Sequence, residues 1–184
     1  MIPSSTRGGF DQGTLARMNS DRLRELQAPL KARYQEDPGA ALLTLHARGR
    51  VSQDAITCTL ETGKPGVPAG LHPATGGDGS AACSGDMLLE SLVACAGVTL
   101  AAVATSMGIA LTSAVVKAEG DLDFRGTLGV SKEAPVGFAR IRVSFVIDTA
   151  APREKVQKLV ELTERYCVVA QTLKRAAPLE VRLE

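Results

Sequence analysis

The chain has 184 residues, which is enough for one well-buried domain and an extension. Lys and Arg total 21 and Asp and Glu total 20, so the net charge is close to zero. No basic stripe stands out, which argues against nucleic acid as the main partner. Aromatic residues make up only 3% and Trp is absent, so Ala, Leu and Val must fill the core.

The most apolar run, residues 87–111, contains Glu90 and is rich in Ala, Gly, Ser and Thr. It predicts a buried helix rather than a membrane span, because a charge and small polar residues interrupt the apolar run. Residues 1–13 lack the basic-then-apolar pattern of a secretory signal. We therefore expect a cytoplasmic protein with reduced thiols and no membrane partner.

The first elements form an extension and then a hairpin. Residues 1–13 are polar and Gly-rich, which predicts a flexible start. A helix is predicted from a cap at Asn19 or Ser20 to about residue 34. Strands are then predicted over 42–47 and 55–61, with Arg48, Gly49 and Arg50 in a turn or on an edge. This pattern predicts an N-terminal segment over 1–40 and a domain over 41–184.

The middle of the chain is a predicted loop followed by a long helix. Residues 63–85 look like a loop, and the Gly-rich part over 76–79 lacks the Lys-Ser/Thr ending of a phosphate-binding loop. Ser84 is the predicted cap of a helix that runs to about residue 107, where Gly108 stops it. One face of this helix, which is mostly small or apolar, consists of Leu88, Ser91, Leu92, Cys95, Val98, Thr99 and Ala102.

The last part predicts two strands, a helix and a short closing strand. Alternation of apolar and polar residues indicates strands over 114–124 and 138–148. Pro152 opens a helix that ends near residue 175, and 179–183 is the closing strand. The element order predicts an α+β fold, with sheets and helices packed in layers.

The candidate chemistry is carried by cysteines. Cys95 and Cys167 lie in apolar stretches of predicted helix, whereas Cys58 lies in a strand pattern and Cys83 at a helix entrance. The usual role of a cysteine is that of a small buried hydrophobe. There is no Cys-x-x-Cys, and neither His46 nor His72 is paired at ligand spacing, so we expect no metal and no cofactor.

A mid-helix thiol such as Cys95 gains little from the dipole of its own helix. If Cys95 is a nucleophile, a cation must lower its pKa, and Arg is the natural candidate. Arg48 and Arg50 in the N-terminal hairpin are the first to test, against the alternative that they lie in a solvated turn.

At this point the two cysteine segments resemble a known family. Residues 84–97, Ser-Gly-Asp-Met-Leu-Leu-Glu-Ser-Leu-Val-Ala-Cys-Ala-Gly, resemble the first-cysteine helix of the osmotically induced and organic hydroperoxide resistance (OsmC/Ohr) family. Residues 164–173, Glu-Arg-Tyr-Cys-Val-Val-Ala-Gln-Thr-Leu, are similar to its second-cysteine helix. The resemblance covers residues 41–184 and indicates a divergent member.

The resemblance implies an intertwined homodimer in which antiparallel sheets wrap around two long central helices. It implies a thiol-dependent peroxidase, in which Cys95 attacks an organic hydroperoxide or hydrogen peroxide and the resulting sulfenic acid is resolved by Cys167. A dithiol, lipoyl-type or a small thiol, would restore the pair in oxidative stress defence. The alternative function is a module that binds a small apolar ligand or senses oxidation without efficient turnover.

The resemblance also implies an Arg held by an acidic residue beside the first cysteine. The position of the family Arg corresponds to the hairpin that carries Arg48 and Arg50. Asp86 is the nearest match to the family Glu and is one methylene shorter. On a straight helix, Asp86 lies on the face opposite Cys95.

Overall fold

The structure is a computed structural model that describes residues 19–37, 49–52, 57–60, 68–129 and 131–183. The flexible start over 1–13, the predicted strand over 42–47 and Arg48 lie outside these ranges. The division between an N-terminal segment and a domain at residue 41 also falls outside them and stays a prediction.

Helix α1, Ser20–Glu36, begins at the predicted cap. The Asn19 side chain accepts a hydrogen bond from the Arg22 backbone N–H at 2.8 Å, which satisfies one of the free donors of the first turn. The helix contacts the long helix α2 described below. The cap prediction is confirmed, and the helix continues two residues past the predicted end.

A four-stranded sheet follows in the order β1-β2-β3-β4, with β1 at Gly49–Ser52, β2 at Thr57–Leu60, β3 at Pro68–Gly70 and β4 at Ala82–Cys83. Only β3 and β4 run parallel. Gly49 and Arg50 lie on the edge strand β1, so of the two predicted positions, a turn or an edge, the edge is confirmed for them. The loop prediction over 63–85 is wrong at β3 and β4. Such short strands depend on pairing rather than on local pattern: β3 pairs with β2, and β4 pairs with β3.

Helix α2, Ser84–Ser106, is the longest element. Cys83 is its N-cap and makes no side-chain capping bond, so the prediction that Ser84 is the cap is wrong. Gly108, with φ +67, ends the helix as predicted.

The buried face of α2 differs from the predicted face. Leu92, Ala96, Leu100 and Ala104 are buried, whereas Val98 is 72% exposed. Leu88, Ser91 and Val98, which share the predicted apolar face with Cys95, are exposed in a single copy. The reason is that α2 is apolar or small nearly all round, so its sequence pattern has little contrast from which to choose a face.

A two-stranded antiparallel sheet packs against α2. Strands β5, Ser113–Asp121, and β6, Arg140–Asp148, pair from Ser113 opposite Asp148 to Asp121 opposite Arg140. Val116, Phe145 and Ile147 cover the core residues Leu100 and Ala104. The strand prediction fails at 122–124, because Asp123 accepts a hydrogen bond from the Arg125 N–H at 3.0 Å and caps the short helix α3, Phe124–Thr127.

The predicted helix over 152–175 is two helices. Helix α4, Arg153–Tyr166, and helix α5, Val168–Lys174, are separated at Cys167, which has φ −73 and ψ 108. Leu159 of α4 is fully buried against α2. Cys167 therefore lies at a helix break, not in a helix interior, although neither Gly nor Pro accompanies the break.

In the described part of the chain, residues 176–183 form no strand, so the prediction of a closing strand at 179–183 is wrong for a single copy. Leu179, Val181 and Leu183 alternate along this tail and are at least 87% exposed. A strand needs a neighbouring edge for its N–H and C=O groups, and no described edge of this chain pairs with the tail.

The α+β prediction is confirmed. Of the described helices, α2 alone is long and apolar enough to suit a membrane span by length and composition. One side of it packs against β5, β6 and α4.

Gly126 in α3 is expected to tolerate no side chain. A Cβ there would lie 2.5 Å from the Pro135 carbonyl oxygen and 2.6 Å from that of Ala134. Gly126→Ala should lower the free energy of unfolding by about 1–3 kcal/mol, because backbone must move. Urea denaturation measures the change, with Gly137→Ala as the control since no atom lies within 4 Å of its added Cβ. Equal stability of the two variants would contradict this packing.

Candidate active site

The structure brings Cys95 of α2 and Cys167 at the α4–α5 break into one cluster. Leu92, Ala96 and Cys167 are its buried members, with Cys167 only 1% exposed. Cys95 is half-buried and packs against them, and both cysteines are free thiols. The apolar side chains that complete the cluster are Val116, Ala118, Ile141, Phe145, Val169 and Ala170.

The thiol of Cys95 is the more acidic of the two. Burial of its sulfur raises the pKa, but hydrogen bonds from the Val169 N–H, the Cys167 thiol, the Val168 N–H and the Thr99 hydroxyl together outweigh burial. The pKa of Cys95 is therefore below its ordinary value, and thiolate forms at lower pH than for a free cysteine.

The thiol of Cys167 has the opposite tendency. Burial raises its pKa, and only the backbone N–H groups of Ala170 and Val169 oppose this. Its hydrogen bond to Cys95 and the charge of Cys95 raise the pKa further. Of the two neighbouring sulfurs, Cys95 thus takes the negative charge and Cys167 keeps the proton.

The helix break explains this difference. Cys167 ends α4, where its N–H donates to the Thr163 carbonyl at 2.9 Å, and it begins α5. The first N–H groups of a helix have no partner within the helix. At the start of α5 two of them, those of Val168 and Val169, are directed at the Cys95 sulfur. A helix that continued through residue 167 would use these donors internally.

The sequence required a cation to lower the pKa of Cys95. In the described part of the chain, none of the groups that shift this pKa is a cation. Backbone N–H groups of α5 lower it here, and the sequence carries no signal for them because the break has no Gly or Pro. The activating cation stays a prediction.

Asp86 is not part of the cluster. Arg48 lies outside the described residues, and Arg50 is described only as a residue of β1. Asp86 is exposed in the first turn of α2, about 13 Å from Cys95 along the helix axis. The roles predicted for these three residues stay predictions.

The remaining cysteines and histidines do not form a metal site. Across the described ranges, no group of three or more His, Cys, Asp or Glu side chains is placed to hold a metal ion. Cys83 caps α2, and Cys58 is a residue of β2. The Nδ1 atom of His72 accepts a hydrogen bond from the Ala74 N–H at 3.0 Å, and its ring stacks on Phe124.

Thr99 is expected to assist ionisation of Cys95. Its hydroxyl donates its one proton to the Cys95 carbonyl at 2.8 Å, and the same hydroxyl lowers the pKa of the thiol when this proton turns to the ionised sulfur. Thr99→Val removes this donor, so the pKa of Cys95 should rise and less thiolate should be present at pH 7. The rate of iodoacetamide alkylation at pH 7 should fall roughly two- to fivefold, the effect of losing one modest hydrogen bond.

The matched control is Thr105→Val, because the Thr105 hydroxyl donates to the Ala101 carbonyl at 2.8 Å in the same helix, away from the cysteines. An equal effect of both variants on alkylation would show that the Thr99 hydroxyl does not act on the sulfur.

An α+β fold that joins two thiols of opposite acidity at a helix break defines a class of paired-thiol proteins. Residues 77–182 match the family model described as OsmC-like protein. This match spans more than half of the chain, and the chain belongs to the OsmC-like family. A search of curated proteins gives no significant match.

Solved structures support the same fold. An OsmC-like protein from Mycoplasma pneumoniae is 13% identical, with a TM-score of 0.62 over 73% of this chain and 89% of that one. An organic hydroperoxide resistance protein from Elizabethkingia anophelis is 16% identical, with a TM-score of 0.57 over 73% and 93%. One named organic hydroperoxide resistance protein OsmC, from Legionella pneumophila, is 15% identical, with a TM-score of 0.55 over 73% and 93%.

Proposed function

We propose that this protein is a thiol-dependent peroxidase that reduces organic hydroperoxides through Cys95 and Cys167. The observation that carries the proposal is the contact between a half-buried thiol of lowered pKa and a buried thiol of raised pKa. Similarity to proteins named for organic hydroperoxide resistance supports it.

The first step uses the acidity of Cys95. Its thiolate attacks the distal oxygen of the hydroperoxide, the O–O bond breaks, and the alkoxide leaves as an alcohol after taking a proton. Cys95 is then a sulfenic acid. The N–H groups of Val168 and Val169 hold the sulfur in its ionised form before the attack. In this proposal Arg48 or Arg50, held by Asp86, supplies additional positive charge.

The second step uses the proton retained by Cys167. The Cys167 sulfur attacks the sulfenic sulfur, water leaves, and a Cys95–Cys167 disulfide forms. The two side chains already belong to one packed cluster, which places the second thiol beside the first. A dithiol, lipoyl-type or a small thiol, then returns both cysteines to the reduced state. A cytoplasmic location, where such reductants are present, is part of the proposal.

The surroundings of Cys95 favour an organic over a charged substrate. Val116, Ala118, Ile141 and Phe145 pack around the thiol pair, and none of them carries a charge. Moving a charged peroxide into such surroundings is costly, whereas an alkyl or aryl group gains from leaving water. Hydrogen peroxide remains a small second substrate.

We also propose that the protein acts as a homodimer. The exposed face of α2 includes Val98, which is 72% exposed, and the tail over 176–183 exposes Leu179, Val181 and Leu183. Both surfaces are apolar and exposed to water in a single copy. Exposed apolar surface and unpaired extended segments are typical of protein–protein interfaces. A second copy would cover both.

The test of the activity is direct. The protein at micromolar concentration is mixed with cumene hydroperoxide and an excess of dithiothreitol, and peroxide loss is followed by stopped flow. Turnover well above that of dithiothreitol alone is the expected result. Peroxide-treated protein digested without reductant should contain a disulfide between the Cys95 and Cys167 peptides. If neither turnover nor the disulfide is observed, the peroxidase hypothesis is rejected and the alternative, a module that binds an apolar ligand, is favoured.

A further inference from the structure

A cavity of about 310 Å³ lies behind Cys167, between α2, β6 and the α4–α5 pair. Leu92, Ala96 and Phe145 form apolar parts of its wall, and Cys167 is also part of the wall. Cys95 is not, although it contacts the same cluster. Of the two cysteines of the proposed disulfide, Cys167 therefore borders this space, although only 1% of the residue is exposed, and Cys95 does not.

The polarity of the cavity indicates what enters it. Apart from Glu164 and Lys174, no described residue of the wall carries a charge. The Thr163 hydroxyl donates to the Leu159 carbonyl at 2.8 Å, so its proton is not free for a ligand. The volume is near the lower end for ligand sites, and the wall gives few polar contacts. A short alkyl chain suits this space better than a charged or sugar-like group.

The exposed side of the cavity is bordered by an ion pair across the helix break. The Lys174 ammonium of α5 pairs with the Glu164 carboxylate of α4, and the Gln171 amide donates to the Glu164 carbonyl at 2.9 Å. Both charged side chains are partly in water. A pair of this kind is worth little energetically, so it can part for an entering ligand at small cost.

We propose that the reductant of the cycle, an alkyl dithiol, enters this cavity and attacks the sulfur of Cys167 rather than that of Cys95. This inference rests on the proposed function, since it concerns the disulfide formed there. One thiolate of the dithiol forms a bond to the Cys167 sulfur, the Cys95–Cys167 bond breaks, and the electron pair leaves on Cys95 as thiolate. The second thiol of the reductant then displaces Cys167, which takes a proton, and the reductant leaves as a cyclic disulfide.

The acidity of the two thiols agrees with this direction of attack. In thiol–disulfide exchange the sulfur of lower pKa leaves faster. The donors on Cys95 lower its pKa, whereas burial raises the pKa of Cys167. Attack on Cys167 expels the Cys95 thiolate, which is stabilised, whereas attack on Cys95 would expel the Cys167 thiolate, which burial disfavours.

The first experiment maps the sulfur that is attacked. The disulfide is made with diamide, which needs no peroxidase activity, in a Cys58→Ser/Cys83→Ser background. Both changes are needed because Cys58, Cys83 and Cys95 share the tryptic peptide 51–117, in which Lys64 is followed by Pro. The oxidised protein is mixed briefly with 1-propanethiol, quenched in acid and alkylated with N-ethylmaleimide. We expect the propanethiol adduct on the peptide of Cys167 and N-ethylmaleimide on Cys95. An adduct on Cys95, or no diamide disulfide between the two peptides, would overturn the proposal.

The second experiment blocks the cavity. Val143 and Val146 are both exposed residues of β6, but only Val143 lines the cavity. Val143→Trp should slow reduction of the diamide disulfide by 1,3-propanedithiol roughly tenfold, because its ring obstructs the approach of the thiol. Val146→Trp should leave the rate unchanged. Equal rates in both variants would contradict entry through this cavity. If both results are obtained but the protein consumes no peroxide, the proposed peroxidase function is rejected and the attack on Cys167 is retained.

Discussion

Cys95→Ser is expected to lower peroxide consumption roughly a thousandfold or more, the scale on which loss of an activated nucleophile acts. Serine lacks a sulfur to oxidise, and its hydroxyl does not ionise near neutral pH even with the N–H groups of Val168 and Val169 beside it. Stopped-flow loss of cumene hydroperoxide in the presence of dithiothreitol measures the effect. Cys83→Ser is the control, since Cys83 is a free thiol that caps α2 and lies outside the cluster.

Cys167→Ser separates the two steps. The first oxidation should proceed, and the sulfenic acid on Cys95 should persist because no second thiol is present to condense with it. Dimedone should then label Cys95 in this variant far more than in the wild-type protein. Peroxide consumption that is equally slow in the wild-type protein and in Cys95→Ser would contradict the enzyme and favour a ligand-binding role.

Val98→Asp is expected to separate the proposed dimer into monomers. Val98 is 72% exposed on the otherwise apolar helix α2, so a second copy that covers it would bury an unpaired carboxylate in the variant. Burying such a charge costs several kcal/mol, and a cost of about 3–5 kcal/mol corresponds to a dissociation constant raised roughly 10²- to 10⁴-fold. Sedimentation over a range of concentrations measures the change.

The matched control is Val136→Asp, because Val136 is 66% exposed and belongs to the segment before β6 rather than to α2. It introduces the same charge at similar exposure and should leave the association unchanged. A wild-type protein that sediments as a monomer at all concentrations, or a dimer that survives Val98→Asp, would contradict association through this face of α2.

Several parts of the fold follow from local signals. Asn19 caps α1 because its short side chain reaches the N–H of Arg22, and Gly108 ends α2 because it adopts a positive φ. Alternating residues indicated β5 and β6, although β5 ends earlier because Asp123 caps α3. Such signals act over a few residues, and the sequence shows them directly.

The candidate site was predicted only in part. Cys95 and Cys167 were singled out from their segments, but the helix break at Cys167 was not, because Val168 and Val169 follow it instead of Gly or Pro. The exposed tail at Leu179 was predicted as a strand because apolar and polar residues alternate along it. It forms no strand because no described sheet edge within one copy pairs with it. The donors that lower the pKa of Cys95 belong to backbone, which residue types do not reveal.

By itself, then, the amino-acid sequence determined the kinds of elements, most of their limits and the two thiols of interest, because capping and periodicity depend on neighbours along the chain. Only the tertiary structure decided which face of α2 is buried, that α4 and α5 are separate helices, and that α5 directs its first N–H groups at Cys95. These features depend on contacts between segments far apart in sequence. The physical reason is that the packing of whole helices and strands decides which side chains are buried and where hydrogen bonds point. A short stretch of residues carries no information about that packing.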